Sequence, residues 1–190
     1  MMNTKLLILS VMISGIFASQ AIALTKAEYD TQKNQASADY KVNRDKCGSL
    51  KGNAKDICVS EAKGAEKIAR AELEAQYKPN AKTTRDVAMT KADSAFDTAK
   101  EKCDDLAGNA KDVCVKDAKA AHVKAKEDAK VSKVAADTSD NKTGKVNEAR
   151  KDATAEKREA NYKAAKKRCD SLAGNAKDTC QKDAQSKFGM

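Results

Sequence analysis

From residue 25 onward, small apolar residues recur among Lys, Asp and Glu at intervals of three and four, the helical period and not the period of two that marks a strand. The clearest stretch is Met89, Ala92, Phe96, Ala99, Cys103 and Leu106, a single stripe of coiled-coil type. The same stripe runs through Ala36, Tyr40, Cys47 and Leu50, with Lys33 and Asn43 as polar intruders. It returns in Ala155, Tyr162, Ala165, Cys169 and Leu172, interrupted by Arg158. Cys114, Ala118, Ala121 and Ala125 mark a face of their own. Ala dominates all of these seams, so they suit helices packed closely and bury little. The pattern predicts helices near 25–49, 54–77, 81–106, 110–135, 145–172 and 176–187. Pro79, which would cost a helix one bond and add a clash, sets one break, and the polar run 136–144 sets another.

A repeat underlies the pattern. Cys47 to Cys58 reads CGSLKGNAKDIC, Cys103 to Cys114 reads CDDLAGNAKDVC, and Cys169 to Cys180 reads CDSLAGNAKDTC. The copies start 56 and then 66 residues apart, and an aromatic stands seven places before each first Cys, at Tyr40, Phe96 and Tyr162. In the second copy Gly108 is the expected left-handed residue that ends a helix, Asn109 the cap of the next, and Asp112 its capping-box partner. Gly52, Asn53 and Asp56, and Gly174, Asn175 and Asp178, repeat the arrangement. Each unit therefore reads as a helix, a very short turn and an antiparallel helix. The fold class is all-α, three tandem disulfide-stapled helical hairpins over 24–79, 80–137 and 145–190, with a linker at 138–144. A second apolar face is sparse, which favours an elongated string of hairpins over a loose bundle. The third hairpin should be the least stable. Its return arm is shorter, and Thr179 and Gln181 replace the pairs Ile57/Val59 and Val113/Val115.

The six cysteines fall one on each arm, about one turn from the Gly-Asn pair. Facing positions predict the bridges Cys47–Cys58, Cys103–Cys114 and Cys169–Cys180. Closing a loop of this size should contribute about 3 kcal/mol by the chain-entropy estimate. The sequence lacks the spacing of a zinc site, having neither a neighbouring His nor a C-x-x-C pair. It also lacks the C-x-x-C of a thiol oxidoreductase. Redox sensing by the same bridges is a third reading.

The first 23 residues form a separate segment: one positive charge at Lys5, an apolar run from Leu6 to Ala18, then Ala21 and Ala23. That order predicts a secretory signal peptide cut after Ala23, leaving a chain with no membrane-spanning segment, in the periplasm or outside the cell. Composition then bounds the remainder. Of 190 residues, 35 are Ala, and Leu, Ile, Val and Phe make up about 11% of the chain after residue 23, well under the roughly 20% that marks a substantial core. No nucleotide loop, nucleophile elbow or HExxH pattern occurs. No catalytic residue, metal ligand or cofactor is expected, and the chain reads as a non-enzyme. His122 is expected to be an ordinary surface His, and the acidic pairs Asp104-Asp105 and Glu127-Asp128 to be solvated. The net charge without residues 1–23 is +8, concentrated in residues 138–190. Lys163, Lys166, Lys167 and Arg168 are the candidate contacts for an anionic envelope polymer or lipid headgroup. Export makes nucleic acid an improbable partner.

The Ala/Lys/Asp/Glu helices that follow the leader resemble the long central helical region of TolA-type cell-envelope proteins. That family keeps a membrane anchor, so its energy-transducing role does not carry over. Ala99-Lys100-Glu101-Lys102 and Ala125-Lys126-Glu127-Asp128 are similar to the repeats of late-embryogenesis-abundant stress proteins, from which the regular Cys staples depart. The C-x-x-L-x-G-N-A-K-D-x-C unit looks like the mark of a family of small exported bacterial proteins. These readings lead to a non-enzymatic exported structural or interaction protein of the cell envelope, meeting an envelope protein or an anionic envelope surface. A stress protectant or polyanion-binding helical protein is the alternative.

Overall fold

The computed structural model describes residues 23–137 and 141–190, and among these the regular structure is entirely helical. Six helices follow one another: α1 (Lys26–Lys46), α2 (Gly52–Tyr77), α3 (Ala81–Cys103), α4 (Gly108–Ala135), α5 (Lys142–Arg168) and α6 (Gly174–Phe188). Short 3-10 turns at Cys47–Ser49 and Cys169–Ser171 follow α1 and α5. The bodies lie where the periodicity predicts them, and the differences sit at the ends. First arms stop at the Cys instead of running on to the Leu, and return arms begin at the Gly. Lys142, Thr143 and Gly144 belong to α5, so the linker is shorter than 138–144. Residues 1–22 of the predicted leader lie outside the described residues.

Of the three helix starts away from the repeated turns, α1 and α3 carry side-chain caps and α5, behind Asn141, carries none. Thr25 and Glu28 form a reciprocal capping box on α1, and Asn80 and Thr83 form one on α3. At the second of these, the Asn80 side chain accepts from the amides of Lys82 and Thr83 at 2.9 and 3.0 Å. The Thr83 hydroxyl accepts from the Asn80 amide at 3.1 Å and donates to the Lys78 carbonyl at 2.8 Å. Pro79 thus lies in a turn whose next helix is locked at its first residue.

Within hairpins α1 packs on α2, α3 on α4 and α5 on α6. Between hairpins α2 packs on α3 and α4 on α5. Among the described residues, extensive packing joins only consecutive helices, so the molecule is a layer and not a closed bundle. The preference for a string of separate hairpins is corrected here. Neighbouring hairpins sit side by side, through a junction that needs no apolar stripe. At the α2–α3 junction, a Cβ added to Gly64 would lie 3.1 Å from the Ser94 Cβ, so the helices meet backbone to backbone. The Ser60 and Thr98 hydroxyls meet at 3.1 Å, and Glu61–Lys102 and Glu72–Lys91 pair at 3.0 and 2.6 Å. Because helix direction alternates, all three Gly-Asn turns lie at one end of the layer. The Pro79 turn, the end of α4 and the start of α5 lie at the other.

The core is as thin as the composition requires. Ala36, Ala62, Ala92, Ala129, Ala153, Ala164 and Ala184 supply most of it, with Leu73 and Val146 the larger members. Three expectations about the stripes fail, one of them at Ala155, which is exposed while Ala153 of the same helix is buried. Leu50, Leu106 and Leu172 are exposed, because the helix stops at the Cys and the turn carries the Leu outward. Ala121 and Ala125 are also exposed, while Ala120 and His122 of the same helix are buried.

Candidate functional site

The repeated turn is the one constellation that occurs three times. Cys47, Cys103 and Cys169 end their arms with 0% exposure and bond Cys58, Cys114 and Cys180, with Cα–Cα distances of 5.7, 5.6 and 5.7 Å. The six cysteines are all used, as facing positions predict. Between each pair the chain reverses through a glycine with φ of +56° at Gly52, +55° at Gly108 and +54° at Gly174. Only Gly holds that left-handed conformation without a Cβ penalty. The expected role differs in one respect, since the glycine opens the return helix instead of closing the first arm.

The expected Asn caps and Asp capping boxes are not formed. Lys51, Ala107 and Ala173 occupy the cap positions, and none makes a side-chain cap bond. With each helix starting at its Gly, Asn53, Asn109 and Asn175 stand two residues past the cap position, too far in to cap it. The Asn53 amide instead donates to the Glu101 carbonyl of α3 at 2.7 Å, while the Asn109 Oδ1 is buried without a hydrogen-bond partner. Asp112 likewise turns outward to Lys167 of α5 at 2.8 Å, while Asp56 and Asp178 are exposed. The Lys of the motif braces the turn instead. Lys111 pairs with Asp104 at 2.9 Å and Lys177 with Asp170 at 3.0 Å. In the first copy Gly48 replaces that Asp and the brace is lost.

Of the four basic residues singled out for anion binding, three are engaged within the fold. Lys163 pairs with Glu159 at 2.6 Å, Lys167 with Asp112 and Asp170, and Arg168 with Asp117 at 2.5 Å. The Asp112 and Asp170 carboxylates accept from the Lys167 ammonium and raise it above the usual lysine value. Lys166 is exposed. Two of the four, Lys167 and Arg168, thus join α4 to α5, while Lys163 pairs within α5.

His122 corrects another expectation, for it is buried and not on the surface. Its Nε2 lies 2.6 Å from Asp93 Oδ1, and its ring stacks on Phe96 with centroids 4.7 Å apart. Burial pushes the Asp93 carboxyl up, but hydrogen bonding to His122 and the Lys126 ammonium at 3.4 Å outweigh it and hold the carboxyl below its ordinary value. Glu127 of the supposed solvated pair is buried too, bonded to Lys130 at 2.5 Å. The His122 position is Glu66 in the first unit and Phe188 in the third, so this group packs one hairpin and is not a site of the repeat.

What the repeat leaves open is its Leu. Leu50, Leu106 and Leu172, equivalent in the three copies, are 39%, 44% and 43% exposed, in one row along the stapled end. The turn thus holds the same side chain outward in every copy, away from the chain's own Ala-lined core. No sequence signal separated this from burial, because the Leu continues the helical period past the point where the helix stops.

Among the described residues no group of three His, Cys, Asp or Glu side chains is placed to hold a metal ion, and no helix is long and apolar enough to cross a membrane. Three closed disulfides fit an oxidising compartment, periplasmic or extracellular. No protein-family model matches the chain, and neither the curated proteins nor the solved structures compared with it give a match.

Proposed function

We propose that the protein is a non-enzymatic, exported structural or interaction module of the cell envelope, presenting the three stapled turns as one edge to its partner. The observation that carries this reading is the row of exposed Leu50, Leu106 and Leu172 held at the end of the layer where each hairpin is cross-linked. Fixing those turns covalently keeps the row ordered before contact, which lowers the entropy cost of binding. Cleavage of the leader after Ala23 and delivery to an oxidising compartment belong to the same proposal.

The polyanion-binding alternative draws less support, since Lys163, Lys167 and Arg168 are paired within the fold. Fractionation with thiol blocking tests the export half. A processed chain beginning at Leu24 with no reactive thiol is the expected result, and a leader-bearing chain with free thiols would overturn it. In-cell cross-linking tests the module half by comparing the wild type with the combined L50S/L106S/L172S variant. Loss of the cross-linked species in the variant is expected, with helicity retained in dilute buffer. Cross-links indifferent to the three substitutions, but abolished by salt, would favour the polyanion reading.

A further inference from the structure

The layer is built by repeating one junction, and its two outer edges carry the two unmatched halves of that junction. Positions 56 and then 66 residues apart are equivalent, and the α2–α3 and α4–α5 junctions use equivalent pairs. Glu61–Lys102 at 3.0 Å corresponds to Asp117–Arg168 at 2.5 Å. Glu72–Lys91 at 2.6 Å corresponds to Asp128–Lys157. The register is kept although ten more residues separate the second and third units, three of them between the helices and the other seven in a longer α4 and α5. Small residues sit where the backbones approach: Gly64 against Ser94 in the first junction, with Ala120 and Ala160 at the same positions in the second. Thr98 and Ala164 are the residues of the odd helices turned toward the preceding hairpin.

The same positions on α1 and α6 are uncovered among the described residues. On α1, Ala38 stands for Ser94 and Ala160, Lys46 for Lys102 and Arg168, and Val42 for Thr98 and Ala164. Ala164 is 3% exposed, whereas Val42 is 55% exposed, the highest value of any large hydrophobic residue. On α6, Asp183 stands for Glu61 and Asp117, Ser186 for Gly64 and Ala120, and Asn175 for the Asn53 that reaches the neighbouring helix. Asp183, Ser186 and Asn175 are all exposed. The α6 edge therefore carries the acid and the small residue of the junction, and the α1 edge carries the base and the second small residue.

We infer that the occupant of both edges is a second copy of this chain: α6 of one molecule docks on α1 of the next in the register of the internal junctions. Asp183 pairs with Lys46, Ser186 faces Ala38, the Asn175 amide reaches the Asp45 carbonyl, and Val42 is covered. The two surfaces are different, so the contact is heterologous and propagates as an open array instead of closing in a symmetric pair. With α6 spanning only Gly174–Phe188, the contact is confined to the stapled half of the layer. It is accordingly in the range of small, transient interfaces. This contact uses the lateral edges and not the turn end proposed above as the partner surface, and it rests on that reading only for the stapled state of the chain.

Sedimentation velocity of the oxidised, leader-free chain over a concentration series tests it. The weight-average coefficient should rise with concentration without levelling at a dimer. Asp183→Lys and Lys46→Asp, both at exposed positions, should each weaken association at least tenfold while circular dichroism stays unchanged. An equimolar mixture of the two variants should restore it, because every junction in an alternating array regains opposite charges. A wild type that stays monomeric throughout, association indifferent to either substitution, or a mixture that does no better than its components would each overturn the inference. Since the run uses purified oxidised protein, it decides the assembly independently of what fractionation and cross-linking decide about the exported module.

Discussion

At the turn end of each hairpin a disulfide joins the arms beside a left-handed glycine, and no side-chain cap assists. At the opposite end no covalent tie exists. There Tyr29 stacks on Tyr77 with centroids 4.7 Å apart, the Leu24 amide donates to the Gln76 carbonyl at 3.2 Å, and capping boxes start α1 and α3. Both ends close the same Ala-lined seam, which buries too little to close itself. The difference is where the stabilisation acts. The staples restrict the unfolded chain, whereas the rings and caps are contacts of the folded one. Reductant should therefore address one end and cap substitutions the other, while acid reaches carboxyls at both, Asp170 of the third turn included.

The strongest way to break this contrast is to remove a staple. C103S/C114S should lower the unfolding free energy by about 3 kcal/mol, read from urea titration. An unchanged midpoint would mean the seam holds the hairpin unaided. Next comes Gly108→Ala, which forces a Cβ into a residue at φ +55° and should cost roughly 1–2 kcal/mol with the disulfide still formed. At the other end Asn80→Ala should cost about 1 kcal/mol and speed amide exchange in the first turn of α3 while leaving the turn at Gly108 protected.

Acid sharpens the comparison further. Thr25 holds the Glu28 carboxyl below its usual value, and Tyr29 and then Lys78 do so for Glu74. Lys157 and then Lys124 act in the same sense on Asp128. A carboxyl depressed in the folded state contributes stability above its unfolded pKa and loses it as pH falls through the folded value. The melting temperature should accordingly hold from neutrality to about pH 5 and fall below about pH 4. A melting temperature flat to lower pH would show these contacts to be without weight. The smallest effect is expected at the exposed row, where Leu106→Ser should change stability by no more than about 0.5 kcal/mol. A larger loss would return that Leu to the core.

The staples were legible in the sequence because Cys spacing and the Gly-Asn turn both report short-range geometry. Helix bodies were legible because Ala, Lys and Glu hold the helical period over long runs. The junction between hairpins was not, since Gly64, Ser94, Ser60 and Thr98 form it with ion pairs and leave no apolar stripe. His122 was missed for a related reason: its partners Asp93 and Phe96 lie on the other arm, and nothing in its own neighbourhood marks it as buried. The turn Asn residues do not act as caps because a two-residue shift of the helix start, set by the left-handed Gly, changes what their side chains can reach.

The placement of the cross-links also decides what a protease can release. Lys51 and Lys111 are exposed and lie inside disulfide-closed loops. A cut after either leaves two fragments still tied through sulfur, so a nicked molecule keeps its mass until it is reduced. The exposed Asn80 and Ala136 lie outside every loop. A cut there severs whole hairpins from one another, each still cross-linked within itself. In a compartment rich in proteases, this chain would be worn down in complete units, beginning from the end without sulfur.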